Sequence, residues 1–185
     1  MTTADVSAPQ ATPLHQRMLR AALLDAEIYE EVEADRSATG QAMTVVMLSA
    51  VAAGIGTFEN GGWIGIAWST VAALLGWYAW AYVTYFIGTR FLPGPETVAD
   101  HGELLRTIGF SSAPGILFIF MLIPPLAGTV FLVSTVWMLV AMVVAVRQAL
   151  DYAGTGRAIA VCALGFPIYA LLKILSLLLA GPWPF

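Results

Sequence analysis

Leu104-Leu105-Arg106-Thr107-Ile108-Gly109-Phe110-Ser111-Ser112-Ala113-Pro114-Gly115-Ile116-Leu117 lies near the middle of the chain, with two apolar segments before it and further apolar sequence after it. It opens as a charged amphipathic turn and ends inside an apolar run. That pattern places Arg106 at a water interface, with Phe110 onward entering lipid. Gly109 and Pro114-Gly115 loosen the helix at this boundary. A stretch of this kind is the mouth of a membrane span, and the rest of the chain can be read outward from it.

Of the 185 residues, 59% are hydrophobic and only 11% charged, with a mean hydropathy of +0.80. Soluble domains carry about 25% charged residues. Too few charges remain to keep a globular surface of this size wet, so the composition defines an integral membrane protein. The net charge of −4 gives no sign of a nucleic-acid partner, and the acids gather near the N-terminus. The single cysteine, Cys162, excludes an intrachain disulfide and a cysteine-based metal cluster. Met1–Pro13 is polar and carries two prolines, which predicts a disordered tail and no cleavable signal.

An amphipathic cytoplasmic helix is predicted over Leu14–Glu33, within a polar segment reaching Arg36, with Leu14, Met18 and Ala22 on one line. Its arginines come early and its acids late, against the helix dipole, so docking must stabilise it. A membrane domain follows from Gly40 to Phe185. Its first span is expected over Ala42–Phe58, where Ser49/Ala53, Ala50/Gly54 and Ala52/Gly56 allow close helix contact within a bundle or a homo-oligomer. After a turn at Glu59-Asn60-Gly61-Gly62, the second span runs over Trp63–Ile87, with aromatics near both ends that suit interfacial belts. Thr97-Val98-Ala99-Asp100 has capping-box spacing ahead of the third span, Leu104–Ile123, which Pro114 should kink. Pro124-Pro125 predicts a tight hairpin, with a re-entrant pair of half-helices as the alternative. The fourth span is Leu126–Val146 and the fifth Ala158–Ala180.

Basic residues set the orientation. Arg17, Arg20 and Arg36 precede the first span, Arg90 and Arg106 separate the second and third, and Arg147 and Arg157 separate the fourth and fifth. The opposite loops have none. The prediction is therefore an all-α polytopic bundle of five transmembrane helices in the cytoplasmic (inner) membrane, with the N-terminus cytoplasmic and the C-terminus outside.

Few residues offer chemistry. Lys173 is the one charge deep in a span, where ionisable groups mark transport or relay sites, and no acidic partner lies at its depth. Asp100-His101-Gly102-Glu103 holds three ligand types, but neighbouring helical positions do not face one site, so no metal is expected. Ser111-Ser112 lacks a nucleophile elbow's strand–helix context and a base. No phosphate loop, cysteine–histidine pair or paired catalytic carboxylates is present. The expectation is a protein without catalytic residues or cofactors.

Leu104–Leu117 resembles the L-L-R-x-x-G-[FY]-x-x-A-P-G pattern of the bacterial branch of the Yip (Ypt-interacting protein) family. Pro124-Pro125-Leu126-Ala127-Gly128 with Val136–Val140, and Val146–Leu150 with Thr155–Ala158, extend the likeness over Gly40 to Ala180. The resemblance implies a helical membrane domain without catalysis, with Arg106, Gly109, Phe110 and Pro114 as candidate functional residues beside Lys173. Eukaryotic relatives contact small GTPases and carry a D-L-Y-G-P motif. Here Gly76-Trp77-Tyr78 lacks the Asp and the Gly-Pro, which counts against GTPase binding. Two functions stay open: a membrane scaffold or adaptor that organises lipids or a membrane-protein partner, and a small transporter or channel component that uses Lys173.

Overall fold

The computed structural model describes residues 12–180, apart from the side chains of residues 60–61, 172–173 and 175–180. Its helices are α1 (Leu14–Ala22), α2 (Ala26–Ala34), α3 (Ala38–Gly56), α4 (Phe58–Arg90), α5 (His101–Phe110), α6 (Ala127–Ala149) and α7 (Thr155–Ala180). Stretches of 3₁₀ helix cover Ala113–Leu122 and Pro124–Leu126. Among the described residues no strand occurs. Among the described residues, four segments are long and apolar enough to cross a membrane: Ala38–Gly56, Gly62–Arg90, His101–Leu122 and Pro124–Ala149. Within α7, Thr155–Leu171 is a shorter apolar helix. The predicted N-terminal tail lies outside the described residues up to residue 11, as does the C-terminal tail beyond Ala180.

The segments alternate in direction. Gly54 packs against Ile66 across the α3–α4 pair, and Gly62 breaks α4 near its start with φ 54 and ψ −154, a backbone conformation that only glycine adopts without strain. Ala42 meets Gly109 and Ser49 meets Gly115, so α3 runs parallel to the α5–3₁₀ segment. Phe118 meets Phe131 while Gly115 meets Met138, which makes α6 antiparallel to that segment. The chain therefore reverses at Pro124-Pro125 as a hairpin.

The predicted third span is not one kinked helix. Helix α5 stops at Phe110, and Ala113–Leu122 continues as ten residues of 3₁₀ helix with Pro114 in its first turn. Pro114 has no N–H to offer the preceding turn, so the α-helical ladder ends here. A 3₁₀ helix rises about 2.0 Å per residue, so these ten residues reach about 20 Å where an α-helix would reach about 15 Å. With α5 the segment measures about 35 Å, enough for a hydrocarbon core of about 30 Å. Stretching thus lengthens an apolar run that is short by residue count.

Leu104 through Phe110 are all buried. Leu104, Leu105 and Ile108 enter one core with Ile87, Val146, Leu150 and Val161. Phe110 enters a second core with Ile28, Tyr29, Val32, Ala42 and Ala145. The expectation that Phe110 enters lipid is corrected here, since its side chain is fully buried. Its ring is buried between the α1–α2 layer and the spans, because α2 covers the site that lipid would otherwise fill.

The helix predicted over Leu14–Glu33 is two helices. Leu24 has φ 63, and the Asp25 N–H bonds back to the Arg20 carbonyl, ending α1. The Asp25 carboxylate then caps α2 by accepting from the Glu27 N–H. The break relieves part of the conflict with the dipole, although Glu31 and Glu33 stay in the last turn of α2. Arg20 now lies in the last turn of α1 and Glu27 in the first turn of α2, each at the end that favours its charge.

Candidate functional site

The polar end of the bundle is organised around α2. Arg17 is only 2% exposed and donates to the Glu31 carboxylate at 2.8 Å, the Asp35 carboxylate at 2.9 Å and the Gln41 amide oxygen at 3.0 Å. The Ser37 hydroxyl and Arg17 hold the Asp35 carboxyl below its usual value. Arg106, 5% exposed, donates from Nε to the carbonyls of Val32 and Glu33 at 3.0 Å, and from Nη2 to Glu33 again. These are carbonyls of the last turn of α2, which have no partner within the helix. A cation there also meets the negative end of the helix dipole. The sequence pattern has Arg106 snorkel to the interface. Instead it is buried under α2, because a helix end offers it fixed acceptors at close range.

Further anchors come from spans. The Trp137 indole donates to the Ala22 carbonyl at 2.7 Å, which holds the C-terminus of α1 against α6. The Trp77 indole donates to the Leu105 carbonyl at 2.9 Å. The Tyr152 hydroxyl donates to the Leu92 carbonyl at 2.7 Å, tying the α6–α7 loop to the end of α4. Sequence reasoning places Trp77 in an interfacial belt, reads Arg17 only as a cytoplasmic charge and passes over Tyr152, since their partners lie elsewhere along the chain.

The capping box falls three residues later than predicted. Asp100 accepts from the Glu103 N–H, and Glu103 accepts from the Asp100 N–H. Thr97 instead accepts from the Gly94 N–H and donates to the Leu150 carbonyl at 2.7 Å. The His101 ring lies edge-on to Tyr78, Tyr82 and Tyr85, with centroids 5.0, 5.7 and 6.1 Å away. Of the other candidates, Gly109 lies against Ala42 and Pro114 is buried in the first 3₁₀ turn. The Lys173 side chain lies outside the described residues.

Cavities open at the polar end and among the spans. One, of about 550 Å³, lies at the polar end between α2, α5 and the α6–α7 loop, and Glu30, Glu33, Glu103, Arg147, Asp151 and Tyr152 are among its lining. The other, of about 430 Å³, lies among the spans and is lined almost wholly by apolar side chains. Burial, with Asp151 and Glu103 nearby, pushes the Glu33 carboxyl up to about 8 against the opposing pull of Arg106.

The Glu33 shift carries a pH dependence. Between its ordinary value of 4.5 and about 8, folded Glu33 holds a proton that the unfolded chain has lost. Stability therefore falls as pH rises through this window and levels off above it. Discounted for screening by solvent, the loss is about 1–2 kcal/mol, or about 3–6 °C in melting temperature for a chain of this size. Melting in one detergent on either side of the window measures it. Glu33→Gln is expected to flatten the dependence, and an unchanged slope in that variant would assign it to another group.

The fold thus defines a multi-pass α-helical membrane protein with a helix pair docked on one end of its spans. Within that class the chain belongs to the Yip1 domain family, whose match covers residues 25–176, from the N-cap of α2 into α7. No curated protein and no solved structure matches it.

Proposed function

We propose that the protein is a non-enzymatic scaffold or adaptor of the cytoplasmic membrane, of the bacterial Yip type, with α1 and α2 on the cytoplasmic side. The observation that carries this reading is the clamped α1–α2 layer. Buried Arg17 and Arg106 hold it rigidly on the spans, while Glu27 and Glu30 stay exposed for a partner. A rigid, charged platform tied to a bundle suits recognition, since little ordering entropy is lost on binding. Arg17, Arg106 and Arg147 gather at the same end as α2, which supports the cytoplasmic orientation. The five-span reading with the C-terminus outside accounts for the same charge pattern.

Two measurements test this. In a Cys162→Ala background, a cysteine at Glu59 should react with an impermeant thiol reagent added to intact cells, and one at Glu96 should not. Labelling at Glu96 would reverse the orientation. For the adaptor role, a partner cross-linked to the native membrane protein should be lost in Glu27→Lys/Glu30→Lys and kept in Lys173→Met. Loss of ion flux in liposomes from Lys173→Met, with normal melting, would favour the transporter reading.

A further inference from the structure

The cavity of about 430 Å³ among the spans is built from α3, α4, the α5–3₁₀ segment, α6 and α7. It lies within the range of about 300–1,000 Å³ found for small-molecule sites. Ala53 and Ala73 make a shallow wall, and Trp80, Met138, Met142 and Tyr169 face the same space. None of the lining residues carries a charge. Of its polar groups, the Ser49 hydroxyl donates to the Ser112 carbonyl at 2.6 Å and the Trp77 indole to Leu105, while the buried Trp80 indole N–H is a donor without a partner among the described residues. A buried water needs two to four polar partners, so this lining suits hydrocarbon better than water.

The cavity is continuous with the lipid-facing surface. Leu139 on α6 and Phe166 on α7 both line it and are 51% and 61% exposed. They mark a mouth between the two helices at membrane depth, where acyl chains are the solvent. Methionine adapts its shape to irregular apolar ligands, and Met138 and Met142 lie along the same wall. We propose that this cavity is a binding site for one lipid hydrocarbon chain, which enters laterally between α6 and α7. The site uses the spans and not the α1–α2 platform, so it stands independently of the adaptor reading.

The test uses the full chain, delipidated in mild detergent and then mixed with vesicles of palmitoyl-oleoyl phosphatidylglycerol. Native mass spectrometry is expected to find one lipid retained after annular lipid is stripped. Ala53→Phe and Ala73→Phe fill the cavity from different helices and exclude several methylenes, so each should lower retention about tenfold or more. Leu171→Phe, on the exposed face of α7 and outside the cavity lining, should leave retention unchanged. Equal retention by the wild type and a filled variant that melts normally would overturn the proposal. So would equal retention of dihexanoyl phosphatidylglycerol by the wild type, because only a headgroup site is indifferent to chain length. This comparison needs no variant and stands even if both substitutions prevent folding.

Discussion

Arg106→Leu is expected to lower folding stability by about 3 kcal/mol and to release the C-terminal turn of α2 from the bundle. The guanidinium satisfies the Val32 and Glu33 carbonyls, both in the last turn of α2. Without it, two largely buried acceptors lose their partner, at about 1–3 kcal/mol each. The interaction with the helix dipole is lost as well. Removing a buried charge offsets part of this by relieving its desolvation, so the net effect falls below the sum. Arg106→Lys should be intermediate, because an ammonium lacks the planar fork that reaches two carbonyls together. Hydrogen exchange over Ala26–Ala34, compared with melting in the same detergent, checks the prediction. Wild-type exchange rates in Arg106→Leu would mean that Arg17 and the apolar contacts of Ile28 and Val32 hold α2 without it.

Gly109→Val is expected to cost about 3 kcal/mol by forcing α5 away from α3. A Cβ at Gly109 would lie 2.7 Å from the Ala42 Cβ and 3.2 Å from Ala42 backbone atoms. A short side chain and backbone have no flexible end to move aside, so the helices themselves must shift. That shift would disturb Phe110, Ala42 and Val45 in the core beneath α2. Gly109→Ala should be milder, and adding Ala42→Gly should restore much of the loss, giving a coupling measurable as a double-mutant cycle. Gly128→Ala is the control, since nothing lies within 4 Å of a Cβ there. Should Gly109→Val melt like Gly128→Ala, the contact between α5 and α3 would be looser than its geometry implies.

These two residues show where sequence reading stops. Hydropathy marks Arg106 and Gly109 as belonging to the mouth of a span, and the nearby Pro114-Gly115 as a break in its helix. It does not say what Arg106 faces. A headgroup and the end of α2 are equivalent acceptors for an arginine at that depth, and Val32 lies 74 residues away along the chain. Gly109 reads as a loosened helix until Ala42 is seen against it. Within apolar runs, a side chain facing lipid and one facing another span obey the same pattern. Phe110 therefore reads as entering lipid although it lies in a core.

The sequence alone determined the membrane class, the placement of the apolar segments, the gathering of arginines at alternate loops and the likeness to the Yip family. Each of these is carried by local composition, residue order or a short motif. Only the tertiary structure decided that Leu14–Glu33 breaks at Leu24, that the third segment stretches as a 3₁₀ helix, and that Arg17 and Arg106 clamp α2. It also created the polar-end and intramembrane cavities, whose linings are drawn from helices distant in sequence. The physical reason is that burial, helix capping and ion pairing depend on partners brought together by folding, which a run of residues does not encode by its own periodicity.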